Sequence, residues 1–357
     1  MAAVSARGLY KVFGPRPEEA VRRLQQGEPV ADVRADGATP AVVDVDLEVQ
    51  PGEISVVMGL SGSGKSTLIR MLNGLLEPTA GTVHVGDVEL TGLDEDGLRR
   101  LRQERLSMVF QHFALLPHRT VLDNAAYALE IRGVERAERR RRGAEALEMV
   151  GLGDRAGNRP SELSGGMQQR VGLARALASG TDVMLMDEAF SALDPLIRRE
   201  MQDQLVELQR SLGRTVVFIT HDLNEAMRIG DRVAVMREGR VVQSGTPTEI
   251  LRAPADDYIA SFLADVDRSR VFTAEDVMAP PRPVDGELHR MPRAGLRTPL
   301  ADLLQPAATG GGSVAVTDDA GQVVGVVTAA SMLSALGGLP GSVEGTSADI
   351  SKEAVRG

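Results

Sequence analysis

The chain has 357 residues, 43% hydrophobic and 25% charged, which suits two folded domains and excludes wholesale disorder. It has no cysteine, so disulfides, thiolate nucleophiles and Cys-ligated zinc or iron–sulfur clusters are excluded. A formal net charge of −10, with 3% aromatics and no Trp, argues against a nucleic-acid partner. The segments before and after residue 264 are both net negative, so no charged tail hides in the average. Of the histidines (His84, His112, His118, His221, His289), no two have the i,i+4 spacing of a helical metal pair. The start MAAVSARGLYKVFG lacks the apolar run of a secretory leader. The longest uncharged stretch, Ala320 to Val343, is broken by Gly, Pro and Ser, so no membrane span is expected.

In chain order, a polar segment over 14–40 carries Pro15, Pro17 and Pro29 and a short helix at EEAVRRLQQ, the texture of an insertion. AVVDVDLEV (41–49) alternates apolar and polar residues as a half-buried strand does. PGE then turns the chain into ISVVMG, a run suited to a strand buried on both faces. GTVHVGDVEL (81–90) alternates again, and 94–106 and 123–150 read as helices. In the second, ERAERRRRGAE (135–145) mixes Arg with Glu135, Glu138 and Glu145, the pattern of a solvated face rather than a lipid-binding patch. A helix from Gly166 to Ala178, a buried strand DVMLMD, a helix over 195–212 and a strand over 215–220 follow. Strands alternating with helices predict an α/β fold with a mostly parallel sheet covered on both faces. Beyond Phe262 the chain turns rich in Pro and Gly, then SVAVTDDAGQVVGVVTAASMLSAL gives strand, turn at Asp318–Gly321, strand and helix. The boundary is placed between domains at 1–264 and 265–357.

Gly59-Leu60-Ser61-Gly62-Ser63-Gly64-Lys65-Ser66-Thr67 fits G-x-x-x-x-G-K-[ST] between a buried strand and a helix, the context that the motif requires. Its glycines let backbone N–H groups converge on phosphate oxygens, and the helix adds its N-terminal dipole. Lys65, one of three lysines with Lys11 and Lys352, is expected to reach the β- and γ-phosphates, and the Ser66 hydroxyl to ligate Mg²⁺. Asp187 and Glu188 end an apolar strand. Asp187 suits Mg²⁺, and Glu188 suits a water that attacks the γ-phosphate. Ser164-Gly165-Gly166 opens an amphipathic helix, with Ser164 as its N-cap and two glycines that bare backbone N–H groups.

The order of these motifs, with Leu163-Ser-Gly-Gly-Met-Gln168 between loop and carboxylates, resembles the ATP-binding subunits of ABC transporters over residues 4–263. Only Met167 departs from the commoner Gln of that signature. The resemblance implies a P-loop NTPase cassette with antiparallel-β and helical subdomains, the helical one at 112–165. It implies that Gln111 meets Mg²⁺ and the attacking water, that Asp194 lies at a dimer interface, that His221 contacts the γ-phosphate, and that Phe13 stacks on adenine. It implies ATP and Mg²⁺ as cofactors, a homodimer in which Ser164, Gly165 and Gly166 complete the partner's site, and no nucleic acid. The phrases GLSGSGKSTLIRMLNGLLEPTAG, FQHFALLPHRTVLDN and MDEAFSALDPLIRREMQ are similar to those of glycine betaine/proline/choline importer ATPases. Such a subunit sits on the cytoplasmic face of the membrane against a permease fed by a solute-binding protein. The alternatives are an importer of another small solute and a soluble ABC ATPase. The segment 298–338 resembles a single CBS motif, with 268–295 as the shortened start of a second. A regulatory extension is therefore expected over 265–357.

Overall fold

A computed structural model describes residues 1–111, 113–281, 288 and 291–337. Of the positions singled out above, His112, His289 and Lys352 lie outside these, as does the last residue of the 298–338 segment. The chain divides into two compact units, Met1–Val266 and Asp267–Gly357.

The first unit begins with β1 (Val4–Phe13), α1 (Pro17–Gln25), α2 (Val30–Ala35) and β2 (Thr39–Val49). Next come β3 (Ile54–Met58), α3 (Lys65–Leu72), β4 (Ala80–Val85), β5 (Val88–Glu89), α4 (Glu95–Glu104) and β6 (Leu106–Val109). A helical stretch follows, with α5 (Val121–Ala125), α6 (Tyr127–Ile131), α7 (Arg136–Met149) and α8 (Gly165–Ser179). The unit closes with β7 (Val183–Asp187), α9 (Pro195–Leu212), β8 (Thr215–Thr220), α10 (Leu223–Ile229), β9 (Arg232–Arg237), β10 (Arg240–Gly245), α11 (Pro247–Arg252) and α12 (Asp257–Phe262). Strands β2-β1-β4-β5 form an antiparallel sheet. Strands β10-β9-β3-β8-β7-β6 form a second sheet, parallel except at β10.

One apolar core joins the two sheets, because α3 buries Leu68, Ile69 and Leu72 among Leu9, Val45 and Val83 of the first and Val57, Leu185 and Ile219 of the second. Each such side chain contributes roughly 1.5–3 kcal/mol through removal from water. The helix that follows the phosphate loop is thereby anchored.

Three local expectations are corrected. The 14–40 segment holds two helices, and the strand starts earlier, because Phe13 pairs with Thr39 and Val12 with Pro40. Ala20, Val21, Leu24 and Val33 then bury against Tyr10, Val12 and Val43. The helix over 123–150 is three helices. One break is at Ala126 and the other falls before Glu135, whose carboxylate accepts from the N–H groups of Ala137 and Glu138 and starts α7 afresh. GTVHVGDVEL is a hairpin, β4 folding back on β5, because Val85 pairs with Val88.

The second unit comprises α13 (Arg268–Val271), α14 (Ala274–Val277), β11 (Arg293–Gly295), α15 (Leu300–Thr309), β12 (Ser313–Thr317), β13 (Val323–Thr328) and α16 (Ala329–Gly337). Strands β11-β12-β13 form its sheet, and Leu300, Leu303, Val314, Val316 and Val327 its core. Residues from the segment expected to begin a second motif hydrogen-bond within this same unit. Ala279 and Val326 exchange backbone hydrogen bonds at 3.0 and 2.9 Å, Leu300 N donates to Phe272 O at 2.9 Å, and Ala274 N donates to Thr298 O at 2.9 Å. The open edge of β13 at Val326 is thereby paired.

Candidate functional site

The site begins with strand register. Met58 of β3 lies beside Thr220 of β8, and Asp187 of β7 beside Ile219, so Gly59, Glu188 and His221 leave the sheet at one edge. This is the carboxyl edge of a parallel sheet, where ligands bind in open α/β folds.

Between β3 and α3 runs the phosphate motif. Gly62 has φ +80° and Gly64 φ +103°, backbone that L side chains rarely adopt. A Cβ on Gly64 would stand 2.2 Å from the Ala41 carbonyl oxygen, whereas Gly62 faces open space. Lys65 is 4% exposed, and its ammonium donates to Gly59 O at 2.8 Å and Leu60 O at 3.0 Å. Burial pulls its pKa below the usual lysine range, while Glu188 and Asp187 act in the opposite direction. Within the loop the buried Ser63 hydroxyl has no partner. Such an orphan suits a phosphate oxygen that would accept from it.

The carboxylates stand against this loop. The Ser66 hydroxyl donates to Asp187 Oδ1 at 3.2 Å. Burial raises the Asp187 pKa, with the Ser66 hydrogen bond and Arg70 acting against it. Among the described residues no group of three His, Cys, Asp or Glu forms a complete metal cage. Two hard oxygens from Ser66 and Asp187 fit Mg²⁺, which takes one or two protein ligands and completes its shell with phosphate and water. Glu188 has φ +46°, a strained conformation for a non-glycine, and its N–H donates to Ile219 O at 3.0 Å. His221 Nδ1 lies 3.1 Å from Glu188 Oε2. The Gln111 amide donates to Ser191 Oγ at 3.3 Å, and that hydroxyl donates to the Glu188 carbonyl at 2.9 Å. Gln111, Ser191, Glu188 and His221 thus form one chain of contacts.

The remaining expected residues lie outside that chain. Ser164 caps α8 by accepting from Met167 N at 3.4 Å, and Gly166 packs on α9, where a Cβ would meet Ile197 Cγ2 at 2.7 Å. Among the described residues, no hydrogen bond joins Ser164, Gly165 or Gly166 to Lys65, Ser66, Asp187, Glu188 or His221. The Asp194 carboxylate caps α9, accepting from Leu196 N at 3.2 Å and Ile197 N at 3.1 Å. Ser61 and Gly62 are exposed and Thr67 is half-buried. Phe13, at the end of β1, exposes 41% of its surface, and Lys11 Nζ stands 5.4 Å from its ring centroid.

Sequence reasoning missed Ser191 as a link, the left-handed Glu188, and Arg198, which grips the loop after Glu188. A serine three residues beyond a strand-end carboxylate was the only local signal for the first. Nothing local signalled the others.

A buried parallel sheet, a Gly-rich loop feeding α3 and two carboxylates at the end of β7 define a nucleotide-hydrolysing cassette. The ABC transporter family matches residues 42–191. The glycine betaine/carnitine transport ATP-binding protein GbuA of Listeria monocytogenes is 43% identical over 95% of this chain and 98% of its own length. The glycine betaine/proline betaine transport system ATP-binding protein ProV of Escherichia coli is 52% identical over 82% of this chain and 73% of its own. A dimeric structure of a post-hydrolysis state of the ATP-binding cassette MJ0796, bound to ADP and Pi, superposes with TM-score 0.58 at 32% identity, covering 68% of this chain and 98% of that one. The chain belongs to the ABC transporter ATP-binding subunits, in the group that serves glycine betaine/proline betaine transport systems.

Proposed function

We infer that this chain hydrolyses ATP to power import of a quaternary ammonium osmoprotectant (glycine betaine, proline betaine or choline) through a partner permease. The observation that carries the ATPase reading is the convergence of Lys65, Ser66, Asp187, Glu188 and His221 at one sheet edge. Osmoprotectant cargo is supported by the relatives' names. The N–H groups of Gly59–Thr67 cradle the phosphates, and the Lys65 ammonium leaves its two carbonyls for the γ-phosphate. Ser66 and Asp187 hold Mg²⁺, with Gln111 closing on it. Held there, Mg²⁺ would supply positive charge against the phosphoryl oxygens. Glu188 Oε orients the attacking water, and His221, in contact with that carboxylate, senses the γ-phosphate. Phe13 offers its exposed ring to adenine.

Ser164, Gly165 and Gly166 open α8 and make no hydrogen bond to the phosphate loop among the described residues, so a head-to-tail homodimer completes two sites, with Asp194 near the seam. The permease docks on a cavity of about 380 Å³ with an apolar floor at Met108, Phe110 and Ile131, where Arg175 of α8 donates to the carbonyls of Phe113 and Ala114. Those bonds tie the segment after Gln111 to the helix that Ser164 opens, a route from nucleotide to partner. Among the described residues no helix is long and apolar enough to cross a membrane, which fits a peripheral subunit at the cytoplasmic face, supplied indirectly by a solute-binding protein. Residues 265–357 regulate, pairing with the second subunit's copy.

The test is uptake of labelled glycine betaine into vesicles that hold this chain with its co-purifying permease and binding protein. Glu188→Gln should retain ATP, trap a dimer and abolish uptake. Sustained uptake by that variant overturns the catalytic assignment, and uptake of an unrelated solute alone overturns the cargo.

A further inference from the structure

Phe190, Ser191 and Leu193 follow the left-handed Glu188, and their three carbonyls all point at one guanidinium. Arg198 of α9 donates from Nε to Phe190 O at 3.2 Å and from one terminal nitrogen to Ser191 O at 3.2 Å and Leu193 O at 3.1 Å. Its other terminal nitrogen donates to Asp222 Oδ2 at 3.2 Å. Asp222 follows His221 directly, and its second oxygen accepts from Glu225 N at 3.1 Å to cap α10. One turn along α9, Gln202 Nε2 donates to Glu225 Oε1 at 3.0 Å, and Arg228 of α10 donates to Asp203 Oδ1 at 2.7 Å, so α9 and α10 are fastened at three points.

The geometry points to Arg198 as the positioning residue that holds the Glu188 loop and the His221 strand end in one register. It rests on the roles given above to Glu188 and His221. Glu188 and His221 come from different strands, and only Nδ1 to Oε2 at 3.1 Å joins their side chains directly. The Glu188 backbone sits in a strained left-handed region that persists only where its surroundings over-determine it. Ser191 supplies part of that constraint through the Glu188 carbonyl, and Arg198 fixes Ser191 itself. A planar fork with several fixed donors can hold three carbonyls and a carboxylate together. A lysine ammonium on a flexible stem cannot match that geometry. Arg198 touches no phosphate-loop residue by hydrogen bond among the described residues, so its loss should spare ATP binding and slow turnover.

The experiment measures kcat and KM for ATP, with ATP affinity and melting temperature, in the full-length dimer. Arg198→Ala should lower kcat roughly 10–100-fold, the scale of a small misplacement of catalytic groups, with KM changed less than about threefold. Arg198→Lys, which keeps the Asp222 ion pair and loses the fork, should fall between wild type and Arg198→Ala. Asp222→Asn keeps a competent cap and loses the ion pair, and combined with Arg198→Ala it should add little further loss. A kcat per folded molecule equal to wild type in Arg198→Ala, a loss confined to KM, or independent effects of the two positions would overturn the assignment. Should Arg198→Ala not fold, Arg198→Lys and Asp222→Asn decide, and wild-type kcat in both overturns it. Glu188→Gln runs alongside. If it turns over like wild type the site reading fails, and if it is inactive while the Arg198 variants are normal only the positioning role fails.

Discussion

Gly62 and Gly64 sit two residues apart in the same loop, both at positive φ, yet alanine should treat them very differently. At Gly62 a methyl meets nothing within 4 Å, so Gly62→Ala costs only the strain of an L residue at φ +80°, about 1–2 kcal/mol. At Gly64 the same strain applies and the methyl also lands 2.2 Å from Ala41 O, where real contacts stay beyond 3.0 Å. Ala41 cannot yield freely. Val42 beside it is paired with Lys11, and Val43 N donates to Gly239 O at 2.8 Å. Forced movement of packed backbone adds about 1–3 kcal/mol, so Gly64→Ala should cost roughly twice as much as Gly62→Ala or more. In a domain of this size each kcal/mol lowers Tm by roughly 2–4 °C, so the two variants separate in a thermal melt. Because the loop must shift to make room, Gly64→Ala should also lose at least about tenfold in ATP affinity, equivalent to 1.4 kcal/mol, by equilibrium binding of a fluorescent nucleotide. Equal destabilisation by the two alanines, or normal ATP binding by Gly64→Ala, would refute the argument that the Ala41 carbonyl fixes the loop.

Two further outcomes follow from buried polar groups. Burial raises the pKa of Glu225 above its unfolded value of about 4.5, against the Thr220 and Gln202 hydrogen bonds, so its protonated form is the one that folding favours. Its stabilising contribution is complete at acid pH and lost as pH rises through the raised pKa. Glu225→Gln should therefore gain stability over wild type from pH 5 towards pH 8, and parallel melting curves across that range would contradict it. Gln169 on α8 is fully buried with neither amide atom hydrogen-bonded, a cost of about 1–3 kcal/mol per unsatisfied group. Gln169→Leu should raise Tm, and a fall of several degrees would show that the amide has a partner in solution.

Much of the site was legible because its pieces are local. The phosphate motif is a contiguous run, and helix 195–212 and strand 215–220 have the bounds that periodicity and breakers assigned them. The second unit's strand–turn–strand–helix was legible for the same reason, each turn being encoded by adjacent residues. Periodicity reports that a strand is buried, not which strand lies beside it. Lys65 and Glu188 are separated by more than a hundred residues, and only the register of β3, β8 and β7 brings them to one edge. The left-handed backbone of Glu188 was invisible because glutamate has no preference for it. It exists because Ser191, Ile219 and Arg198 bond the surrounding chain, and a sequence does not display bonds between residues that folding has yet to bring together. Likewise the segment 272–279 looked like a separate fragment until the open edge at Val326 supplied the hydrogen bonds that the Ala279 backbone needs. Residue chemistry is written along the chain, whereas the distances that turn it into a site are set by packing and strand pairing.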